Sequence, residues 1–305
     1  MKLPYLPFDK WEKTRITLHL IFQIIGKIRL KATPRKNHWW YVTLYVSTKG
    51  FSTHPIPLPD GINTFEIIIN VHKNAVQLQS STGEEKEIPL RDGYTVSEFY
   101  RDILEILKEW GLHPKFINKP LDMGIDKSFD ELTAYHHYDR DSIRQFWQMM
   151  LWNDGVLKEF SGRFYGKTCP VQIYWHHLDI AVTRFSGKYA PPMDPKTRLL
   201  EKDSYSHEVI SFGFWAGDDN IPEPAYYAYT APSPPHLDKE PLQPEQAFWT
   251  DANGSPMAIL KYKELLKKAD PRKTLLDFLE SAYQAGAKLA NWDMEALRVP
   301  ALNDL

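Results

Sequence analysis

Ionisable and large aromatic residues alternate most densely in residues 158–215, whose central part, residues 166–187, reads GKTCPVQIYWHHLDIAVTRFSG. Residues 171–175 and 180–185 are rich in β-branched and aromatic side chains, which favour strands. The intervening residues 176–179 are typical of a hairpin tip. A third apolar run, residues 206–214, follows a proline-rich segment over 186–203 that reads as a loop. This stretch therefore predicts consecutive strands of an antiparallel sheet.

Outward from this stretch, the chain repeats one pattern of helix, strand meander and helix. The first round has predicted helices at 14–30 and 95–110, the second of which starts with the capping-box pair Thr95 and Glu98. Predicted extended segments lie between them at 40–47, 51–58, 64–71, 75–80 and 85–90, and a further strand is predicted within 114–123. The second round has predicted helices at 141–163, which two glycines weaken toward two pieces, and from Asp270 to about residue 292. Between them lie predicted strands at 171–175, 180–185, 206–214, 225–230, 247–251 and 257–261, the last two joined at Asn253 and Gly254.

This repetition predicts an α+β fold of two similar halves, each an antiparallel β-meander flanked by helices, that is, an internal pseudo-duplication. The predicted boundaries are 1–123 for the first half, 124–140 for a connection and 141–305 for the second half. Gly26-Lys27 in the first half is matched with Gly166-Lys167 in the second. Ligands commonly bind at the junction of such halves, so a cleft between them is the predicted place for a site.

Composition narrows the class of protein. Of 305 residues, 43% are hydrophobic and 25% charged, and the formal net charge of -2 argues against a nucleic-acid partner. No apolar run is long enough to span a membrane, and no secretory signal is evident, so no membrane partner is expected. The single cysteine, Cys169, forms no intrachain disulfide and fits a reducing cytoplasm. We interpret it as a buried structural residue, because no protease-type grouping accompanies it.

Several short segments resemble a known family over nearly the whole chain. They are Asn37-His38-Trp39-Trp40, Gly166-Lys167 with Pro170-Val171, residues 179–187, residues 205–209, Phe214-Trp215 and Glu223-Pro224-Ala225. The family is one of bacterial proteins that share a domain of unknown function. The resemblance implies a bacterial, free-standing soluble protein and carries no activity, cofactor or catalytic residue with it.

Four basic residues are candidates for an anion-binding set: Arg184, Lys167, Arg163 and His38. Arginine offers a fork of donors that suits carboxylate or phosphate. Arg184 shares a face of its predicted strand with apolar residues, where a charge is costly unless it is paired. It therefore either binds an anion or forms an internal ion pair, with Asp179 or Glu208 as the partner.

Ser206-His207-Glu208 has the residue types of a catalytic triad in direct succession. Neighbours on one strand point to opposite faces, so these three cannot converge as a triad. His207 remains a candidate general base, and Glu208 is kept with it as a candidate for proton handling. No established catalytic motif is present elsewhere.

Other candidate groups are weaker. Metal-ligand residue types occur at His176, His177, Asp179, His207 and Glu208, but their spacing matches no metal motif. The family resemblance implies small residues at the positions of the two turn histidines. We therefore predict no metal site. His136-His137-Tyr138 falls in the connection and is expected at the surface. Trp39, Trp40, Trp175 and Trp215 are expected in the core, with Trp39 and Trp215 retained as candidates for a cleft wall. The glycines are isolated, so no cofactor motif is predicted.

Two functions follow as hypotheses. The first is binding or turnover of a small anionic metabolite in a cleft between the halves, with Arg184 and Lys167 holding the anion. The second is a non-catalytic protein-interaction module, in which the same residues form a structural charge network. Its partner would meet the proline-rich loops at 189–195 and 232–244. Convergence of Arg184, His207 and Glu208 on one cavity would favour the first.

Overall fold

The structure is a computed structural model that describes residues 3–218, 221–301 and 303. Within these residues it contains six α-helices and two antiparallel sheets of six strands each. The predicted α+β class with two similar halves is confirmed. Across the same residues, no helix has the length and hydropathy that crossing a bilayer requires.

The first sheet is built from a meander between two helices. Helix α1 spans Glu12–Ala32 and α2 spans Val96–Glu109. The strands are β1 Tyr45–Ser47, β2 Gly50–Ser52, β3 Ile56–Pro57, β4 Thr64–Asn70, β5 Ala75–Ser80 and β6 Glu85–Pro89. Their order in the sheet is β1-β2-β4-β5-β6, and β3 pairs with β4.

The second sheet follows the long helix α3, Arg140–Ser161. Its strands are β7 Gln172–Tyr174, β8 Asp179–Tyr189, β9 His207–Trp215, β10 Ala225–Ala231, β11 Phe248–Ala252 and β12 Ser255–Lys261. Their order is β11-β12-β10-β9-β8-β7. The remaining helices are α4 Leu199–Ser204, α5 Tyr262–Leu266 and α6 Pro271–Leu289.

The chain forms two compact units, and neither is one continuous segment. The first unit comprises residues 1–36, 40–151 and 173–178, and the second comprises 37–39, 152–172 and 179–305. The short segment Asn37–Trp39 therefore belongs with the second sheet, although it precedes the first sheet in sequence. His38 and Trp39 thus lie in the same unit as Lys167 and His207.

The core of the first unit is organised around α1. Its central residues are buried on all sides, as expected for a helix that is apolar nearly all round. Phe22 of this helix contacts the ring of Phe51 on β2, with centroids 5.0 Å apart. Gly26 lies against Trp175, whose ring leaves no room for a Cβ atom. The helix can approach this ring closely because position 26 carries no side chain.

The core of the second unit lies on the two faces of β8 and β9. All residues from Val209 to Trp215 and from Asp179 to Phe185 are buried. Phe160 of α3 meets the edge of the Phe212 ring, with centroids 4.8 Å apart. Helix α6 covers the same sheet, since a Cβ at Gly286 would meet Thr230 and Ile210. Phe212 and Ile210 point to the same face of β9, so α3 and α6 fix the strands that carry the candidate residues by packing on that face.

Elements with strong local signals occur where the sequence predicts them. Thr95 and Glu98 form a complete capping box at the start of α2. The Asp270 side chain accepts from the backbone N–H of Lys273 and caps α6. Strands β11 and β12 form the predicted hairpin, which turns at Asn253 and Gly254, both with positive φ.

Four local predictions are wrong. Residues 40–43 are not a strand, although Leu44 forms a bridge with Ile173 and β1 follows. The preceding Asn37–Trp39 forms a 3-10 turn in which His38 and Trp39 adopt left-handed φ values of 57° and 59°. No strand forms over 114–123, and α3 is one continuous helix. Residues 186–203 are not a simple loop, because β8 extends to Tyr189 and α4 begins at Leu199. Gly26-Lys27 lies inside α1, whereas Gly166-Lys167 lies in the coil after α3, so the two pairs differ in local structure.

Candidate functional site

His38 and Lys167 form the centre of a basic cluster in the second unit. The Nζ of Lys167 lies 2.7 Å from Nε2 of His38. A protonated lysine can only donate, so Nε2 of His38 accepts this hydrogen bond and carries no proton. His38 is buried and Lys167 is exposed, so the ammonium lies at the solvent side of the ring.

The carbonyl oxygen of Asp203 fixes the tautomer of His38. It lies 3.1 Å from Nδ1 of His38 and also accepts a 3.1 Å hydrogen bond from the hydroxyl of Ser206. The Nδ1 of His38 must therefore carry the proton, which agrees with an unprotonated Nε2 facing Lys167. Asp203 lies in the last turn of α4, where backbone carbonyls have no partner within the helix.

His207 joins the cluster from the first residue of β9. Its ring centroid lies 5.3 Å from that of His38, with the planes nearly perpendicular. Its Nδ1 lies 3.1 Å from the Ser206 oxygen. Because the single hydroxyl proton of Ser206 is donated to Asp203, this oxygen accepts from Nδ1–H of His207. The Nε2 of His207 is then the unprotonated nitrogen, and Ser206 is not poised as a nucleophile.

Aromatic rings form one side of the basic cluster, which we define as His38, Lys167 and His207. The Lys167 ammonium lies 4.6 Å from the centroid of the Phe185 ring, and the His38 ring lies 4.8 Å from the same ring. Tyr189 is 79% exposed and lies 4.4 Å from the His207 ring. An irregular register between Phe185 and Tyr189 lets both contact His207.

The electrostatics of the cluster disfavour protonated histidines. Burial lowers the pKa of His38, and the positive charge of Lys167 lowers it further. Burial and the same lysine also lower the pKa of His207. Both rings are therefore neutral near pH 7, and the field at the cluster is positive because of Lys167. An anion placed here would be attracted by Lys167 and would favour protonation of both rings.

Arg184 lies on the other face of the sheet from this cluster. It pairs with Ile210 in the register, whereas its neighbour Phe185 pairs with Val209, and successive strand residues point to opposite faces. The same alternation puts Glu208 on the face of Ile210, away from His207. The structure therefore does not bring Arg184 and Glu208 together with the basic cluster.

The surroundings of Arg184 are those of a structural charge. It is 1% exposed, its Nη2 donates a 2.7 Å hydrogen bond to the Phe160 carbonyl, and its Nη1 lies 3.8 Å from Oε2 of Glu280. The guanidinium also lies 4.5 Å from the centroid of the Tyr283 ring. Burial lowers the pKa of Arg184 to about 10, so it stays charged at neutral pH. The ion-pair partner is Glu280 of α6, neither Asp179 nor Glu208.

The remaining candidates fall at different distances from the cluster. Trp39 is part of the same region, since its Nε1 donates to the Leu200 carbonyl of α4. Asp179 and Trp215 lie at far ends of their strands, about 20 Å along β8 from Phe185 and about 26 Å along β9 from His207. The hydroxyl of Tyr227 donates to Asp179, and Trp215 packs in the core against Ala225 and Ile259.

Arg163 also lies apart from the basic cluster. It is exposed on the surface and forms an ion pair with Glu159, which Arg272 shares.

Sequence reasoning missed the residues that orient the cluster. The sequence places Phe185 in a predicted strand and Tyr189 in a loop for a protein partner, and predicts neither of them beside the basic residues. Asp203 acts through its backbone, which leaves no trace in residue type. Ser206 was visible in the Ser206-His207-Glu208 run, but its contact with Asp203 depends on α4, which the sequence did not predict. Glu280 carries no local signal, because it lies 96 residues beyond Arg184.

The fold and the cluster together define the class: an α+β protein of two similar halves that presents a lysine and two histidines on one face of its second sheet. The chain belongs to a family of unknown function, DUF5996, which matches residues 3–299. The resemblance stated from the sequence is confirmed at this level. No curated protein and no solved structure matches the chain. The geometry of the cluster is therefore the basis for a functional proposal.

Proposed function

We propose that the second unit binds a small anionic metabolite, a carboxylate or a phosphate, at His38, Lys167 and His207. The observation that carries the proposal is the 2.7 Å contact between Lys167 Nζ and His38 Nε2, with the His207 ring beside it. Three basic side chains from segments far apart in sequence meet at one place. Such a set is favourable for a negative ligand, because charge-assisted hydrogen bonds are the strongest that side chains make.

The ligand would lie between the ammonium group of Lys167 and the rings of Phe185 and Tyr189. Lys167 supplies a permanent positive charge at the solvent side, and Phe185 and the exposed Tyr189 supply apolar contact. A metabolite with an anionic group and a short apolar or planar body fits this combination. Arg184 is left out of the proposed anion set, because it lies on the opposite face and is enclosed by rings.

If the ligand carries a removable proton, His207 would act as the general base in its turnover. Its Nδ1–H is engaged by Ser206, which leaves Nε2 as the proton acceptor. A pKa that lies below the ordinary value keeps this ring neutral and able to accept a proton at neutral pH. Glu208 has no part in this step, because it lies on the opposite face of β9.

The test is a titration of the whole protein with inorganic phosphate and, separately, succinate, observed through the NMR signals of the histidine rings. Saturable shifts of the His38 and His207 signals are expected, together with a rise of both pKa values on binding, since a nearby negative charge favours protonation. Lys167→Met should weaken binding by about tenfold or more. Lys188→Met is the matched control, because Lys188 is an exposed lysine of β8 whose Nζ donates to the Asn291 carbonyl.

Two results would overturn the proposal. One is the absence of any saturable shift at His38 or His207 with either anion. The other is equal weakening by Lys167→Met and Lys188→Met, which would indicate general surface charge. That the proline-rich loops meet a protein partner stays a prediction.

We further propose that the protein works in the cytoplasm of a bacterium. Cys169 supports the compartment: it is the single cysteine, it is buried as a free thiol, and no disulfide depends on oxidising surroundings. The family resemblance supports the bacterial origin. Fractionation of the host cells, with detection of the chain in the cytoplasmic fraction, checks the proposal, and recovery from another fraction contradicts it.

A further inference from the structure

Two loops of the first unit bring potential metal ligands together. Asp92 lies in the turn between β6 and α2, and His136 and His137 lie in the segment before α3. The backbone N–H of Gly93 donates a 2.9 Å hydrogen bond to the His136 carbonyl. The backbone N–H of Tyr138 donates a 3.1 Å hydrogen bond to Oδ1 of Asp92. The two loops are therefore fixed to each other at the position of the three side chains.

The three side chains have the spacing that a single ion requires. One ligand atom from each of Asp92, His136 and His137 lies within 4.8 Å of the others. The Nδ1 of His137 lies 3.7 Å from Oδ1 of Asp92. Zinc bonds to histidine nitrogen and carboxylate oxygen are about 2.0–2.2 Å long and arranged tetrahedrally, so ligand atoms around one ion lie about 3.4 Å apart. Movements of about 1 Å or less by each side chain close the set around an ion.

The irregular backbone allows both neighbouring histidines to point the same way. In a regular strand, adjacent side chains would point to opposite faces. The segment from Tyr135 to Asp139 forms neither helix nor strand, and the ring centroids of His136 and His137 lie 4.5 Å apart. The sequence assigned these histidines to the surface of a connection, whereas both are half-buried. They are therefore held, and do not move freely in solvent.

One buried ring nitrogen of this group has no hydrogen-bond partner. The Nδ1 of His136 is buried and has no hydrogen-bond partner. Buried polar atoms are nearly always satisfied, so an orphan nitrogen beside a carboxylate and a second imidazole points to a missing ligand. A metal ion would satisfy this nitrogen by coordination.

We propose that Asp92, His136 and His137 bind a divalent transition-metal ion, with Zn²⁺ as the ion that suits them best. Two imidazoles and one carboxylate form a ligand set found at zinc and related sites, whereas Mg²⁺ and Ca²⁺ prefer oxygen ligands alone. Three protein ligands leave a fourth position open. Asp92 and His137 also line an open cavity of about 530 Å³, which gives solvent or a small molecule access to that position.

The experiment measures binding of Zn²⁺ to the full chain by competition with a chromophoric chelator, after treatment with chelator and dialysis. One equivalent is expected to bind. His136→Gln, His137→Gln and Asp92→Asn should each weaken binding by about tenfold or more, the lower end of the effect of changing even indirect metal partners. The control is the double variant His176→Gln/His177→Gln. These two residues are another adjacent pair of close rings, 4.3 Å apart, and among the described residues no third metal ligand joins them.

Co²⁺ supplies a second readout that does not depend on affinity. An absorption band typical of four- or five-coordinate Co²⁺ is expected with the wild-type chain and with the control. The band should be lost in His136→Gln at unchanged far-ultraviolet circular dichroism, which shows that the variant is folded. The proposal is overturned if the wild-type chain binds less than one equivalent. It is also overturned if the control loses Zn²⁺ while His136→Gln retains it, or if Mg²⁺ and Ca²⁺ compete equally with Zn²⁺.

Discussion

The guanidinium carbon of Arg184 lies 3.7 Å from the centroid of the Phe160 ring, and Nη2 of the same group donates a 2.7 Å hydrogen bond to the Phe160 carbonyl. Glu280, its acidic partner, is 40% exposed. The charge of Arg184 is therefore accommodated mainly by rings and one carbonyl, and only in part by an ion pair. Three substitutions separate these contributions.

Arg184→Ala should lower the free energy of unfolding by about 3–5 kcal/mol, because it leaves a cavity and an unsatisfied carbonyl. Arg184→Met fills much of the space and should cost about 1–3 kcal/mol. Glu280→Gln should cost less than about 1 kcal/mol, since its carboxylate is largely solvated. Urea denaturation of the three variants gives the ranking. A cost for Glu280→Gln that equals that of Arg184→Ala would mean that the ion pair dominates.

Two helical glycines should respond to alanine with opposite signs. Alanine is favoured over glycine by about 1 kcal/mol within a helix. At Gly155 in α3 an added Cβ meets nothing within 4 Å, so Gly155→Ala should stabilise by up to that amount. At Gly26 in α1 the Cβ would lie 2.2 Å from the Trp175 ring, and overpacking costs about 1–3 kcal/mol, so Gly26→Ala should be destabilising on balance. Thermal unfolding of both variants checks the pair, and stabilisation by Gly26→Ala would contradict the close packing.

His19 should make the protein sensitive to acid. Burial lowers its pKa to about 4, and Nε2 lies 3.1 Å from the carbonyl oxygens of both Trp175 and His176. In the unfolded chain the ring protonates near pH 6.5, whereas in the folded chain it stays neutral down to about pH 4. The unfolded state therefore binds more protons in this window, and stability falls as pH falls from 6.5 to 4.

The loss attributable to His19 is roughly 3 kcal/mol at its limit, because each pKa unit corresponds to about 1.4 kcal/mol. Urea midpoints at pH 7, 5.5 and 4.5 should show a steep slope for the wild type. His19→Gln should be less stable at pH 7 and should show a shallower slope. Equal slopes for the two proteins would contradict the assignment of this window to His19.

Lys167 should control the titration of its histidine neighbours. Its charge, after burial, is the cause that lowers the pKa of both His38 and His207. In Lys167→Met both pKa values should rise toward the ordinary range, as measured by NMR of the imidazole signals without added ligand. Lys188→Met serves as the comparison and should leave both values in place. If neither substitution moves them, Lys167 is not next to the rings in solution.

Cys169 should be inert in the folded protein. It is 1% exposed, it accepts a 3.1 Å contact from the backbone N–H of Thr183, and burial raises the pKa of its thiol to about 11. Relative to an ordinary thiol, this lowers the reactive thiolate fraction by about 100-fold at neutral pH, and burial excludes the reagent as well. Labelling with a disulfide reagent should therefore become measurable only in denaturant. Rapid labelling of the native protein would place the thiol at the surface.

The features that the sequence predicts correctly are those that depend on residues close together in the chain. The α2 capping box at Thr95 and Glu98 and the turn at Asn253-Gly254 are decided by residues a few positions apart, and both were predicted. The strand predicted over 40–47 is confirmed at its end, in β1, and wrong over 40–43, because strand propensity at Trp39 and Trp40 is overridden by distant partners. Trp39 donates to Leu200, which lies 161 residues away.

The candidate site shows the same difference between what residue type predicts and what distant contacts decide. Lys167, His38 and His207 were chosen for their residue types, and the structure brings these three together. Arg184 was chosen on the same grounds, yet strand alternation puts it on the other face, where Glu280 meets it. The alternation was visible in the sequence, but the identity of the elements that cover each face was not. Residue type therefore predicted the members of the cluster, and tertiary contacts decided which of them meet.

The assignment of Asn37–Trp39 to the second unit has a consequence for synthesis of the chain. His38 leaves the ribosome 129 residues before Lys167 and 165 residues before Asp203, its two hydrogen-bond partners. At common rates of translation these intervals are roughly 6–33 seconds. During that time the left-handed turn at His38 and Trp39 lacks its hydrogen bonds to Lys167, Asp203 and Leu200. The basic cluster therefore forms only after Lys167 and Asp203 have been made, and its completion depends on a short segment that was made much earlier.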